Sequence, residues 1–512
     1  MPLTRQREGS PALGAVAVRL RRLAPVAGVA IVVAAAAVAF AHTHSVAEAA
    51  KALLAAAIAV AAAGLACTLP GITVRGAVIG GLFVLAGLMS WTFTNQPWGV
   101  WVVLAVTGVV VAVWSWPGPA YLPALPPLGT AWLGLAYWLL GIVGAVLSTH
   151  LGVAAQRTAY AGVFTLTALA VVATVLRPGR GGGDPSVGIA AAILVGVAAL
   201  LLAGSATVFD AVHAIPNNDP STVLMRNRFW GGPGLYFHPN SMAGLAIVAA
   251  IRIGPDRAFA AWQRLAATVL AGFVLYLSNS RIGFWFAVAA AVVHGVLILL
   301  RRRSRGAQVE PGFGGAEQPQ RIAGLPGYRR PWLAIVAPFA VLAVVLALSG
   351  GRGFLFQSRF GGDDVTSGRT ANWRQVWNDW RADGLAEKVF GDAKTSRGVV
   401  VRSGVDRKLN TDNAAVGAFR RGGVLGVLAF AVGLVLMLWH ALLPLRRRGP
   451  PRRGPLRRVA TPASSAWFTV AAVAVVPTIA TEDWLLGGTN GAIWLMLLAG
   501  EATVLWGRRA NP

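Results

Sequence analysis

The residues of this chain best suited to chemistry are Ser280 and Arg281, in a short polar break between two apolar runs. An arginine near membrane depth is costly, so it indicates a functional role with a specific partner. Its guanidinium group offers a bidentate fork that matches a phosphate, and the Ser280 hydroxyl adds a further donor. The alternative is an interfacial arginine that only closes a hairpin. We favour a phosphate site at Arg281.

A second polar segment contains Arg226, Arg228 and, directly before an apolar run, His238-Pro239-Asn240. The predicted topology places this segment on the outer side of the membrane, where arginines are uncommon. The presence of two arginines there favours a bound anion. They could equally extend to lipid headgroups. We expect Asn240 or Ser241 to cap the following helix. His238 is more simply a hydrogen-bonded loop histidine than a catalytic group, and the segment predicts no metal site.

A third candidate is Asp412-Asn413, where a long polar stretch leads into an apolar run. A desolvated carboxylate there would have a raised pKa and could accept the proton of a hydroxyl. The same pair could instead cap the helix, a role that Asp and Asn both serve well. By physical argument alone, capping is the stronger interpretation.

The polar stretch before Asp412 also contains a short amphipathic helix. Trp373, Trp377 and Trp380 follow i, i+4, i+7 spacing, with Thr370 as the expected cap. The aromatic face predicts a structural role, as an interfacial helix or as the small core of the loop. The functional alternative is a platform on which sugar rings stack. Arg369 could face an anionic substrate.

The surroundings of these residues are those of a membrane protein. The 512 residues are 56% hydrophobic and 12% charged, and the mean hydropathy is +0.62. The formal charge of +26 lies in short basic runs beside apolar segments, which indicates membrane orientation and no nucleic-acid partner. We predict an all-α polytopic bundle of about fourteen spans, at 24–41, 51–69, 76–93, 98–116, 130–148, 158–176, 187–208, 239–253, 262–279, 282–300, 332–349, 416–443, 466–481 and 488–506.

Basic loops alternate between the two sides when both termini are placed in the cytoplasm. The predicted domains are transmembrane helices at 1–349, an extracytoplasmic loop domain at 350–415, and C-terminal transmembrane helices at 416–512. Cytoplasmic basic linkers are expected at 301–330 and 444–460. This topology puts His238, Arg281 and Asp412 on one face of the membrane.

Taken together, these segments resemble the O-antigen ligase and polymerase family of bacterial membrane proteins. The resemblance rests on His238-Pro239-Asn240, on Ser280-Arg281, and on the long loop that ends in Asp412-Asn413 before a glycine-rich helix. It covers residues 220 to 440. The chain departs from the family at Asp412, where a histidine is usual, so either the base has changed or the activity has diverged.

The resemblance implies a GT-C-like fold and an inverting, metal-independent glycosyl transfer outside the bacterial plasma membrane, with no cofactor. The donor would be a glycan on a polyprenyl pyrophosphate and the acceptor a glycan or lipid hydroxyl, with membrane lipids around them. Arg281 would hold the leaving group with Arg226 and Arg228 in support, and Asp412 would be the base. His238, Asn240, Ser280, Arg369 and Asn413 would contact substrate. A transporter of lipid-linked glycans, or a silent assembly scaffold, is the alternative.

Overall fold

The computed structural model describes residues 30–38, 41, 44–92, 109–110, 113, 128–176, 184–205, 229, 231–232, 235–256, 258–306, 331–348, 369–391, 413–446, 462–482 and 491–509. These ranges are helical apart from turns and one minimal antiparallel ladder, in which β1 (Gly231–Gly232) pairs with β2 (Leu235–Tyr236). The prediction of a helical membrane protein is confirmed to that extent.

Fourteen α-helices are labelled here in chain order. They are α1 (Val46–Thr68), α2 (Val74–Thr92), α3 (Gly129–Leu147), α4 (Leu151–Leu176), α5 (Ser186–Ser205), α6 (Pro239–Ile253), α7 (Ala261–Ser278), α8 (Arg281–Gly306), α9 (Pro331–Leu348), α10 (Arg369–Ala382), α11 (Leu385–Phe390), α12 (Ala414–Arg446), α13 (Pro462–Ala474) and α14 (Gly491–Arg509).

Four stretches within these helices are long and apolar enough to cross a membrane: Gly129–Leu147, Ser186–Gly204, Arg281–Leu300 and Ala414–Leu445. Shorter apolar stretches include Val74–Leu88, Pro239–Ile253 and Gly491–Leu505. Apolar sequence of this length favours helices because a helix satisfies all its backbone hydrogen bonds internally, without water. Of the apolar run expected at 24–41, the described residues 30–38 and 41 are helical, whereas the run expected at 98–116 lies largely outside the described residues.

Helix boundaries differ from the sequence-based ones in two informative places. The run expected at 466–481 is broken, because α13 ends at Ala474 and a 3-10 turn, Val476–Ala480, follows with Pro477 in its first turn. A proline lacks the backbone donor that an α-helix needs. Helices also extend into the first residues of the expected basic linkers, since α8 continues through Gly306 and α12 through Arg446.

The core of the bundle contains α14, whose residues from Gly491 to Ala502 are buried. Trp494 is fully buried, donates from Nε1 to the carbonyl of Thr130 at 2.8 Å, and packs against Phe83 and Phe164. Edge-to-face and offset aromatic contacts of this kind add to the burial of apolar area. The helix therefore fixes α2, α3 and α4 around one centre.

One end of the bundle is joined by buried charges. Arg252, near the end of α6, contacts Asp184 at 3.0 Å and Asp256 at 2.8 Å, and its Nε donates to Ser186. The guanidinium group also lies 5.3 Å from the ring of Trp467. A buried cation is tolerated only when its donors are matched in this way, so the network ties α5, α6 and α13 together.

The same end holds a second buried carboxylate, Glu501 of α14. It accepts hydrogen bonds from the backbone N–H groups of Gly129 and Thr130 and contacts Nδ1 of His440 at 2.6 Å. Carboxylates are favourable at a helix N-terminus, where backbone N–H groups have no partner within the helix. Glu501 therefore holds the start of α3 against α12 and α14.

A small helical hairpin, α10 and α11, docks at the opposite end on a kink in α12. Gly423 has φ 58° and ψ −151°, a conformation that interrupts α12 and that residues with a Cβ rarely adopt. A Cβ at Gly423 would lie 2.5 Å from the carbonyl of Val389, and one at Gly391 would lie 2.1 Å from that of Arg421. The two glycines allow direct backbone contact between α11 and α12.

Candidate functional site

Three polar side chains that are distant in sequence form a buried hydrogen-bonded row. Asn240 of α6 donates from Nδ2 to Glu482 at 2.6 Å and accepts from the Ser280 hydroxyl at 2.9 Å. Glu482 is 5% exposed, Asn240 8% and Ser280 0%. Buried polar groups persist when they satisfy one another in this way. The row, Ser280–Asn240–Glu482, joins the start of α6, the turn between α7 and α8, and the second residue after the 3-10 turn.

The turn between α7 and α8 is as tight as the sequence predicts. Asn279 ends α7 in a left-handed conformation, with φ 46° and ψ 46°, and α8 begins at Arg281. The Ser280 hydroxyl oxygen accepts from the backbone N–H of Gly283 at 3.0 Å and so caps α8. Because Ser280 bonds to both Gly283 and Asn240, its hydroxyl serves the fold in addition to any ligand. Arg281, half-buried, opens the same helix.

The prediction that Asn240 or Ser241 caps α6 is wrong. The helix begins at Pro239, with His238 in the capping position and without a side-chain cap bond. A proline is favourable at this first position because its missing N–H would have no partner there. Asn240 and Ser241 are therefore inside the first turn, and both are buried. This leaves the Asn240 side chain available for the row.

Asn413 is the cap of α12. Its Oδ1 accepts from the backbone N–H of Val416 at 3.0 Å, and its Nδ2 donates to the carbonyl of Ala480 at 3.1 Å. The second bond brings the start of α12 to the 3-10 turn, two positions before Glu482. The expected cap at Asp412-Asn413 is thus made by the asparagine. Asp412 lies outside the described residues.

The aromatic face of α10 contributes to a packed cluster. Trp377 and Trp380 stack at 4.9 Å between ring centroids, and both contact Phe419 of α12. Arg381 lies 5.2 Å from the Trp377 ring and Lys388 lies 5.9 Å from the Trp380 ring. Since other side chains contact these rings, the cluster favours the small core over the sugar platform.

Some of the predicted site residues lie together in the structure, and the rest are described only in part or not at all. His238, Asn240, Ser280, Arg281 and Asn413 lie at one end of the bundle, on elements that contact one another. Arg226, Arg228 and Asp412 lie outside the described residues, and Arg369 is described only as the first residue of α10. Within the described ranges, no group of three or more His, Cys, Asp or Glu side chains is arranged to hold a metal ion.

Glu482 is the residue of the row that the sequence does not predict as a site. Next to Asp483, at the end of an apolar run, it resembles an ordinary polar helix end. Its pairing with Asn240 joins positions 242 residues apart. The only indication of this role in the sequence is that the predicted topology places the Glu482 carboxylate on the same side of the membrane as Arg281.

The row combines groups suited to two tasks. A half-buried arginine beside it could bind a phosphate, and a buried carboxylate could fix the orientation of an amide or accept a proton. The apolar helices and this polar end define a membrane protein with a candidate site at one end of the bundle.

The sequence of this region matches a known family. Residues 266–383 match the family model described as O-antigen ligase. The matched segment includes α7 from Ala266 onwards, the Ser280–Arg281 turn, α8, α9 and the whole of α10. This segment is therefore similar to the O-antigen ligase family, and it contains Ser280-Arg281, whereas His238-Pro239-Asn240 and Asp412-Asn413 lie outside it. A comparison with curated proteins gave no match.

Proposed function

We propose that this protein is a glycosyltransferase of envelope polysaccharide assembly, of the O-antigen ligase or polymerase type. It moves a glycan from a polyprenyl-pyrophosphate carrier to an acceptor hydroxyl on the extracytoplasmic face of the bacterial plasma membrane. The observation that carries this proposal is the O-antigen ligase match, which contains the Ser280–Arg281 turn. The hydrogen bond from Ser280 of that turn to Asn240, and the one from Asn240 to Glu482, support a built site.

The reaction is a single displacement at the anomeric carbon of the donor. The acceptor oxygen forms a bond to that carbon, the bond to the pyrophosphate oxygen breaks, and its electron pair stays on the pyrophosphate. Attack from the opposite side inverts the configuration. Arg281 stabilises the charge that develops on the leaving group, a role in which a fixed guanidinium replaces a metal ion. Arg226 and Arg228 assist at the pyrophosphate.

The acceptor hydroxyl must lose a proton as it attacks. Asp412 accepts this proton in the proposed mechanism, from the position where the family usually has a histidine. Asn413, one residue later, is held in place by its cap bond to Val416. His238 and Arg369 contact the glycan or the acceptor.

Glu482 is a positioning residue in this scheme. Its bond to the Asn240 amide fixes which atom of that amide faces Ser280, and Ser280 in turn caps the helix that begins with Arg281. A carboxylate that orients a second polar group acts through that group rather than on substrate. The row thereby holds Arg281 relative to α6.

The proposed topology has about fourteen spans with both termini in the cytoplasm, in a GT-C-like arrangement. It assigns the row and Asn413 to the extracytoplasmic face. The grouping of residues supports this assignment: Asn240 and Arg252 are at opposite ends of α6, about 18 Å apart at ~1.5 Å per residue. Glu482 shares the first end, and Asp184 shares the second.

The described polar groups favour a one-ended site over a transport path. Between the row and Arg252, α6 is apolar at each position from Met242 to Ile251. A transporter of lipid-linked glycans needs polar or ionisable groups along its path through the membrane. This part of the bundle offers a packed apolar segment instead.

The experiment that tests the function compares a deletion strain with its parent. Surface glycans and lipid-linked intermediates are extracted and separated by size. Accumulated lipid-linked polymer identifies a ligase, and accumulated lipid-linked single repeats identify a polymerase. Unchanged glycans and intermediates would contradict the proposed function.

A further inference from the structure

A cavity of about 590 Å³ opens between α6, α7, α8 and α9, apart from the row. Its walls are formed largely by small and aliphatic side chains, such as Ala271, Ala287, Ala290 and Val341. Gly272 of α7 packs against α9, where an added Cβ would clash with Cγ1 of Val341. Pro338 of α9 also lines the cavity.

The polar side chains of the cavity are concentrated towards one end. Arg264, in the first turn of α7, and His294 of α8 both line it. Arg264 is about 21 Å from Ser278 along α7, and His294 is about 20 Å from Arg281 along α8, at ~1.5 Å per residue. Since the two helices run antiparallel, both side chains lie at one level, away from the row. None of the described residues that line the cavity is acidic.

The apolar length of the cavity corresponds to one leaflet. From Arg264 to Leu275, which also lines it, α7 rises about 16 Å at ~1.5 Å per residue. A hydrocarbon core is about 30 Å thick, so one acyl chain needs about half of that. A positive group therefore lies at one end of an apolar groove of acyl-chain length.

We propose that this cavity is a binding site for an anionic phospholipid. One acyl chain lies along α7 between α6 and α9, and the phosphate contacts Arg264. Basic pockets between membrane helices are a recognised means of binding anionic headgroups. The charge of Arg264 and the absence of acidic lining residues among those described favour an anionic over a zwitterionic lipid.

The site differs from the one proposed for the glycan donor. A carrier pyrophosphate at Arg281 would lie near the row, whereas Arg264 is at the other end of α7. The lipid would therefore occupy the leaflet opposite the row. Its role does not depend on glycan transfer, so it can be tested by binding alone.

The test uses the purified full-length protein and native mass spectrometry. Dioleoyl phosphatidylglycerol and dioleoyl phosphatidylcholine are titrated separately, so that the acyl chains are identical. We expect phosphatidylglycerol to bind about tenfold more tightly, because phosphatidylcholine offers the same phosphate but also carries a trimethylammonium cation that the Arg264 charge repels. Arg264→Gln should remove this preference, and Arg264→Lys should retain most of it.

A matched pair of variants tests the groove itself. Thr268 lines the cavity, while Val269, the next residue of α7, is 51% exposed and is not part of the lining. Thr268→Trp should weaken the binding of both lipids by about tenfold or more, and Val269→Trp should leave it unchanged. Equal affinity for the two lipids in the wild-type protein, or an unchanged preference in Arg264→Gln, would overturn the proposal. Equal effects of the two tryptophans would also overturn it.

Discussion

The amide of Asn240 donates a 2.6 Å hydrogen bond to the carboxylate of Glu482, and both side chains are buried. This bond joins the first turn of α6 to the second residue after the 3-10 turn. Because Asn240 also accepts from Ser280, the carboxylate is linked to the helix that begins at Arg281. The candidate site is therefore held by side chains from three separate parts of the chain.

Removing the carboxylate of Glu482 should destabilise the protein. In Glu482→Ala the buried Nδ2 of Asn240 loses this acceptor, which should cost about 1–3 kcal/mol. Glu482→Gln keeps an acceptor oxygen and should cost less. Thermal unfolding of the purified protein in detergent measures both changes. As a control, Asp379→Ala removes an exposed carboxylate from α10 and should have little effect.

Equal unfolding temperatures for Glu482→Ala and Asp379→Ala would show that the buried row contributes nothing to stability. Such a result would also remove the structural support for Glu482 as a positioning residue.

Asp412 and Asn413 should respond differently to substitution. Asn413 caps α12, so Asn413→Ala should lower the stability of the protein by about 1 kcal/mol, and Asn413→Asp should restore it. Asp412→Asn leaves the Asn413 cap in place but removes the proposed proton acceptor. We expect it to reduce glycan transfer by about 10²-fold or more, with the unfolding temperature unchanged. Near-normal transfer would exclude Asp412 as the base.

The docking of α11 on α12 should depend on one glycine. Gly423→Ala forces a Cβ into a left-handed backbone position and against the carbonyl of Val389, which should cost roughly 1–3 kcal/mol. Its neighbour provides the control, because a Cβ at Gly422 would meet Leu140 at 3.7 Å, an ordinary contact. Limited proteolysis between α11 and α12 should accelerate in Gly423→Ala and not in Gly422→Ala. Equal cleavage rates would contradict the close approach.

Local sequence patterns predict much of the helical structure. The apolar runs predict the first and last residues of α3, α7 and α9 to within one residue. The predicted break at Ser280–Arg281 falls where α7 ends. These features depend on neighbours in sequence, because a helix and its caps are decided over a few residues. The position of α6 also follows, from Pro239 at its start.

Partners that depend on tertiary packing are not predicted. Asn240 is expected to cap α6, yet it faces Ser280 and Glu482, because Pro239 already occupies the first helical position. Glu482 resembles a solvent-facing helix end until the break at Pro477 directs the chain back to α6. Phe419 joins the two tryptophans of α10 where the hairpin of α10 and α11 docks on α12. None of these pairings leaves a periodic signal in sequence.

The most direct test of the account is glycan transfer by Arg281→Ala in membranes of the deletion strain, with protein abundance measured in parallel. If Arg281 holds the pyrophosphate, transfer should fall by about 10²- to 10³-fold, while the protein accumulates normally. Arg281→Lys keeps the charge but not the bidentate fork and should be intermediate. Arg374→Ala, at an exposed arginine of α10, should be unaffected. Wild-type transfer by Arg281→Ala at normal abundance would contradict the proposed site.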